Sequence, residues 1–235
     1  MRIGFISDAH GNVEAFCRGL RVLAAAGAEV IHFLGDAIGY LPGDEVVSEL
    51  RARGIAAIRG NHEQMLLRGN APENREPVYR LRQIAREMHP ENRAEIARWP
   101  ATRTIDAPVG KLLLLHGSPS DPTFGYVYPD TDLSGFEVTQ HFAVFMGNTH
   151  RPFVRRTGSA LFVNVGSCGL PRDTGDLGAA CLFDGSTGDA QIIRFNIEAE
   201  TRAALARCGT VAPDVGAVFA RRVAEGYVGT RVDAS

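Results

Sequence analysis

The stretch Ile3-Gly4-Phe5-Ile6-Ser7-Asp8-Ala9-His10-Gly11-Asn12 decides how this chain is read. An apolar run of strand-forming residues stops at a serine, and an aspartate and a histidine follow it two residues apart. The same pattern returns four times. Val30 to Leu34 runs into Gly35-Asp36, Ile55 to Arg59 into Gly60-Asn61-His62-Glu63, Leu112 to Leu115 into His116-Gly117, and Ala143 to Met146 into Gly147-Asn148-Thr149-His150. In an open α/β sheet, residues just past the carboxyl ends of the strands converge on one crevice. Carboxylates, imidazoles and amides are therefore expected to meet there, with the adjacent glycines letting the backbone turn sharply enough to aim them.

Working outward, apolar strands alternate with helix-periodic segments over the first sixty residues, which predicts βαβ units and a mostly parallel sheet covered by helices. Between the first two strands, Phe16, Leu20, Leu23 and Ala24 recur at helical spacing, with Asn12 suited to the N-cap and Gly27 to the C-cap. Pro42 to Arg53 reads as a second helix with Asp44 and Glu45 in its first turn. From about 70 to 103 the chain becomes charged, arginine-bearing and helical, a predicted insertion over the sheet. Strands then resume at Lys111 to Leu115, Ala143 to Met146, Leu161 to Val165, Ala179 to Phe183 and Gln191 to Phe195, joined in part by turns such as Arg156-Thr157-Gly158-Ser159. Residues 1–195 are expected to form one domain, and 196–235 a helical extension packed on it, periodic from Glu198 to about Glu225.

The 235 residues suffice for one α/β domain with a substantial core. With 25 basic and 27 acidic side chains the net charge is −2, which disfavours a polybasic track for long nucleic acid or an anionic membrane. Apolar residues at 45% and charged residues at 22% exclude long disorder. No apolar run is long enough to span a bilayer. The chain enters its first strand without a signal-peptide pattern, and a cytoplasmic location is expected. Cys17, Cys168, Cys181 and Cys208 form no CxxC spacing and are expected as free thiols.

Carboxylate oxygens and imidazole nitrogens with one carboxylate placed to bridge are the donors a pair of divalent metal ions requires, and the lack of thiolates argues against a cysteine-type structural zinc. The ordered series Asp8-Ala9-His10, Gly35-Asp36, Gly60-Asn61-His62-Glu63, His116-Gly117 and Gly147-Asn148-Thr149-His150 resembles that of the calcineurin-like metallophosphoesterases, over roughly residues 1 to 195. Asn164 through Asp173 is similar to a segment of the small bacterial phosphodiesterases and diadenosine tetraphosphatase-like members.

The resemblance implies a layered α/β/β/α sandwich, with two sheets flanked by helices. It implies one metal held by Asp8, His10, Asp36 and His150, and a second by bridging Asp36 with Asn61, His116 and Asn148. Asn148 stands where the family usually has histidine, a change from imidazole to an amide oxygen that tilts the second site towards Mg²⁺ or Mn²⁺. Val165 replaces a usual proline. Two divalent ions are implied, Mn²⁺ foremost, with Fe, Zn, Ni and Mg as alternatives. The implied reaction is in-line attack of metal-activated water on phosphorus, with His62 as general acid, Glu63 as its orienting partner and Asn61 touching metal and phosphate. Asn12, Arg59, Tyr40 and Arg172 are candidate substrate contacts, and Tyr40, Phe124, Tyr126 and Tyr128 are placed to stack a base or aryl group.

The expected function is hydrolysis of a small phosphodiester or a nucleotide or dinucleoside polyphosphate. The alternatives are a phosphomonoesterase or phosphoprotein phosphatase, or a non-catalytic scaffold with a degraded second metal site.

Overall fold

The fold was analysed in a computed structural model, which describes residues 1–158, 160–222 and 227–232. The strands are β1 (Arg2–Ile6), β2 (Val30–Phe33), β3 (Ala56–Ala57), β4 (Thr102–Ala107), β5 (Gly110–Leu115), β6 (Ala143–Met146), β7 (Phe153–Thr157), β8 (Ala160–Asn164), β9 (Leu177–Asp184), β10 (Ala190–Asn196) and β11 (Thr230–Val232). The helices are α1 (Val13–Ala25), α2 (Glu45–Ala52), α3 (Asn61–Arg68), α4 (Glu76–Tyr79), α5 (Leu81–Glu87), α6 (Pro90–Arg98), α7 (Glu198–Cys208) and α8 (Pro213–Phe219).

Two sheets pack face to face, one ordered β11-β10-β9-β1-β2-β3 and the other β4-β5-β6-β8-β7. In the first, β1, β2 and β3 run parallel while β9 lies antiparallel to β1 and β10. In the second, β5, β6 and β8 run parallel. Between the sheets lies an apolar layer of Ile3, Phe5, Leu34, Leu112, Phe145, Val163 and Phe183, in which the Phe5 and Phe145 rings stack at 3.9 Å. Helices cover the outer face of the first sheet, through Phe16, Leu20, Leu23, Val46, Val47 and Ile96. The strand pattern alone predicted helices on both faces. The inner face is instead buried by the second sheet, an equally apolar surface that leaves the same signature in the sequence. The outer face of the second sheet is covered by Val127, Leu133 and Val138 from the irregular stretch between β5 and β6.

Asn12 caps α1, its side chain accepting from the Ala15 N–H at 3.2 Å, and Gly27 follows the helix with φ 87°. The helical insertion ends before β4, so Thr102 and Arg103 belong to a strand and not to the insertion as expected. The extension is helical over α7 and α8, but β11 pairs in parallel with β10 and makes it part of the first sheet, correcting the all-helical expectation. Three residues of β-ladder, with no periodicity long enough to register, carried no signal in the sequence. Ser159 of the anticipated turn and Glu225 at the anticipated helix end lie outside the described residues. Among the described residues no helix is long and apolar enough to cross a membrane.

Candidate metal centre

The carboxyl ends of β1, β2, β5 and β6 bring the predicted residues together. The β1 and β2 ladder continues past the strand ends, with the Asp8 N–H donating to Gly35 O at 3.0 Å and the His10 N–H to Asp36 O at 3.0 Å. The second sheet is stitched to it from the other side. Asn148 N–H donates to Asp8 Oδ2 at 3.2 Å, and His116 Nδ1 bonds Leu34 O at 2.8 Å. Asp8, His10, Asp36, Asn61, His116, Asn148 and His150 are all buried.

Seven described non-glycine residues have positive φ, and five of them are in that set: Asp8 (56°), His10 (49°), Asp36 (59°), Asn148 (64°) and His150 (57°). Each such backbone costs roughly 1–3 kcal/mol and persists where the surroundings over-determine it, which is a property of functional sites. Here the bends aim residues that are neighbours in sequence into one space.

The hydrogen bonds settle the chemistry of that space. His10, His116 and His150 each present Nδ1 to a backbone carbonyl, of Ile38 at 3.1 Å, Leu34 at 2.8 Å and Leu170 at 2.5 Å. A carbonyl only accepts, so Nδ1 carries the hydrogen and, in a neutral ring, Nε2 is a bare lone pair. Those lone pairs converge. His10 Nε2 lies 3.1 Å from His150 Nε2, which lies 3.1 Å from Asp8 Oδ1, an oxygen with no hydrogen-bond donor. Asp36 Oδ2 lies 3.5 Å from His10 Nε2 and 3.4 Å from His116 Nε2.

The Asn61 side-chain oxygen lies 2.8 Å from Asp36 Oδ2 and 3.3 Å from His116 Nε2, again acceptor against acceptor. Amide orientation is an assignment, and this one is sensible with a cation between the groups. Cations bound about 2.1 Å from each donor impose donor-to-donor edges of about 3.0–3.4 Å, against 2.8–3.8 Å between the donors here. Neither carboxylate has a lysine or arginine partner among the described residues; their ionic contacts are the histidines alone. Three overlapping sets of donors among the described residues could hold a metal ion: Asp8 with His10 and His150, His10 with Asp36 and His62, and Asp8 with Asp36 and His116. Asn148 lies beside them, its side-chain N–H donating to Gly125 O at 2.7 Å.

In the absence of a cation, protons shift to compensate. Burial disfavours a charged His116, yet the Asp36 carboxylate outweighs burial and pushes it up to about 10. Burial also disfavours the Asp36 anion, but His116 and His62 hold it well below the usual carboxylate range. Burial drives His10 well below its ordinary value.

His62 differs from the other three histidines. Its Nδ1 has no partner, its Nε2 is 4.0 Å from Asp36 Oδ2, and its ring is held among Tyr40, Tyr79 and His10 at centroid distances of 5.2, 4.6 and 4.8 Å. Gly39, at φ 94°, lies so close to that ring that a Cβ there would overlap Nδ1. Burial pushes His62 down to about 4, against the attraction of Asp36.

Glu63 does not orient His62, as its adjacency in sequence suggested. Its carboxylate accepts four backbone N–H bonds, from Asp36 at 2.9 Å, Ala37 at 2.8 Å, Ile38 at 3.3 Å and Gly60 at 2.8 Å. It shapes the Asp36 loop and caps α3. Two proposed substrate contacts are also corrected. Asn12 is fully buried, with its amide committed to Ala15, Gly169 and Thr201. Arg59 bonds Pro100 O through its backbone and does not line the cavity at the centre. Ser167, within the segment 164–173 singled out in the sequence, supports the site: its hydroxyl donates to Asp8 O at 2.7 Å and accepts from the Leu170 N–H at 2.7 Å.

Tyr40 and Arg172 do line that cavity, of about 190 Å³, and Arg172 Nη2 donates to the Tyr40 hydroxyl at 2.7 Å. Tyr126 and Tyr128 line it as well, their rings parallel at 6.0 Å, whereas Phe124 does not. Arg75 and Tyr79 of the insertion were missed as site residues. The insertion's arginine content was visible, but which of its arginines faces the centre depends on how α4 folds back.

The chain belongs to the calcineurin-like phosphoesterase superfamily, whose domain matches residues 1–187. An uncharacterized protein of Methanocaldococcus jannaschii is 26% identical over 215 residues, covering 83% of this chain and 88% of its own. Among solved structures, a metallophosphoesterase from Sphaerobacter thermophilus is 24% identical with a TM-score of 0.74, covering 94% of this chain and 98% of its own. A hypothetical protein from Pyrococcus horikoshii is 17% identical with a TM-score of 0.79, covering 98% and 99%.

Proposed function

We propose that the protein is a divalent-metal-dependent phosphoester hydrolase acting on a small phosphodiester or on a nucleotide or dinucleoside polyphosphate. The observation that carries this reading is the pair of acceptor groups, proton-free when the rings are neutral, that share Asp36 Oδ2. Asp8, His10, Asp36 and His150 would hold one ion, and Asp36, Asn61, His116 and Asn148 the other. When bound, such ions would activate a water molecule for attack and offset the negative charge of the phosphoryl oxygens. With two amide oxygens in the second group, Mn²⁺ is the preferred occupant.

His62 acts as the general acid. An anionic phosphate beside its ring favours the imidazolium form, opposing the burial that otherwise keeps it neutral, and the proton then passes to the departing oxygen. Arg172 and Tyr40 orient the phosphate by donating to its free oxygens, and the Tyr126 and Tyr128 rings offer faces for a base or aryl group.

The test is metal content together with Mn²⁺-dependent hydrolysis of an aryl phosphomonoester, an aryl phosphodiester and diadenosine tetraphosphate. Two ions per chain and fastest turnover of the diester or the polyphosphate are expected. Preference for the monoester would move the assignment to a phosphomonoesterase or phosphoprotein phosphatase. Failure to retain metal, with no turnover of any of the three, would overturn hydrolysis in favour of a scaffold.

A further inference from the structure

A second cavity of about 420 Å³ adjoins the metal cavity, and both are lined by Tyr40, Arg75, Tyr128 and Arg172, so the two form one continuous trough. Four arginines line the outer part, Arg75, Arg151, Arg172 and Arg221, against one carboxylate, Asp214. Several arginines elsewhere pair with acids, as Arg18 does with Glu200 at 3.0 Å, Arg51 with Glu91 at 2.7 Å and Arg202 with Glu198 at 2.8 Å. The four in the trough make no such pair among the described residues. Arg172 and Arg221 bond Tyr40 and a backbone carbonyl, and Arg75 lies 4.9 Å over the Tyr79 ring. Four guanidinium groups facing one cavity repel one another, and a multiply charged anion relieves that repulsion while matching their forked donors.

The outer wall belongs to the C-terminal segment, beyond the family domain that ends at residue 187. Val215 of α8 is buried against Tyr40, Leu41 and Leu170, the Gly175 N–H donates to Arg221 O at 2.9 Å, and Arg221 Nη1 donates to Arg172 O at 3.0 Å. The helix is therefore docked on the very residues that line the metal cavity.

We propose that this outer trough binds a second, non-scissile phosphate group of the substrate, so that its arginines set selectivity for a polyphosphorylated compound over a simple ester. The kinetic consequence rests on the hydrolase reading above; the binding does not. The binding probe is inorganic tripolyphosphate, titrated calorimetrically into chelator-treated protein, where no metal can capture it. One equivalent should bind, Arg151→Gln combined with Arg221→Gln should weaken it at least tenfold, and Arg151→Lys with Arg221→Lys should recover most of the loss. No binding to the native protein, or equal affinity in the glutamine variant, overturns the proposal.

In the metal-loaded enzyme, the ratio of kcat/KM for diadenosine tetraphosphate to that for an aryl diester should fall at least tenfold in the glutamine variant, through KM. A parallel fall for both substrates overturns the selectivity. Should the double variant fail to fold, Arg151→Gln alone replaces it, since among the described residues that exposed side chain makes no hydrogen bond or ion pair. If no substrate is turned over at all, the hydrolase reading falls and the titration alone decides the trough.

Discussion

His62 and Asn148 carry the two most direct tests at the level of single residues. His62 stands apart from the other site histidines because no carbonyl fixes its Nδ1, which suits a group that moves a proton and not one that holds an ion. His62→Gln should lower kcat by about 10²–10⁴-fold while both metal equivalents remain, measured by steady-state kinetics and elemental analysis on the same preparation. Asn148 gives its side-chain N–H to Gly125 O, as His10, His116 and His150 give theirs to other carbonyls. In Asn148→His, Nδ1 can take over that bond and leave Nε2 free to coordinate. The second metal equivalent should then bind roughly tenfold more tightly in a calorimetric titration; unchanged affinity would show that this position does not ligate.

The βα turns are the elements that make the site, and Glu63 governs two of them at once. Glu63→Gln keeps one acceptor oxygen but turns an NH₂ group towards backbone donors. It should therefore cost at least about 3 kcal/mol in urea unfolding and weaken metal binding through the displaced Asp36 loop. A second effect belongs to β2. His32 stacks on Phe5 at 5.8 Å with an unpaired Nδ1, and burial together with Arg103 pushes it down to about 4. The unfolded chain titrates this histidine near 6.5, so between pH 6.5 and about 4 the unfolded state binds more protons. Stability should fall as the pH drops through that window, by up to roughly 3 kcal/mol. His32→Val, which suits a strand, should flatten this part of the profile when both proteins are unfolded by urea at pH 5 and pH 7.5 with chelator present.

For the whole molecule, the candidate metal centre is the joint between the two sheets. Its ligands come from the ends of strands in both, and without cations it leaves Asp8 Oδ1 unpaired and imidazole lone pairs facing each other. Chelation should lower the melting temperature, and restoring Mn²⁺ at about 100 times its Kd should return roughly 2.7 kcal/mol of stability, read as a concentration-dependent rise in Tm. A melting curve indifferent to metal would contradict this joint.

Eight of the eleven described strands, their order of appearance and the polar residues at their ends were legible in the sequence; β4, β7 and β11 were not. Apolar runs that stop at a glycine, aspartate or histidine leave a local signature, and five in series define a family. That signature also carried the seven ligand candidates, because each lies within a few residues of its strand end. The sequence could not show what a side chain does once the chain has folded back. Glu63 beside His62 reads as its partner, yet the helix points it at the Asp36 loop; Asn12 and Arg59 read as substrate contacts, yet one is consumed by capping and packing and the other lies away from the cavity. Arg75, Tyr79 and the arginines around α8 come from segments distant in sequence, with no motif of their own. Motif and strand pattern are local properties, fixed by covalent order. Which groups share a cavity, which lone pairs face one another and which charges go unpaired are set by the packing of the two sheets, the insertion and the C-terminal helices, and only the tertiary structure decides them.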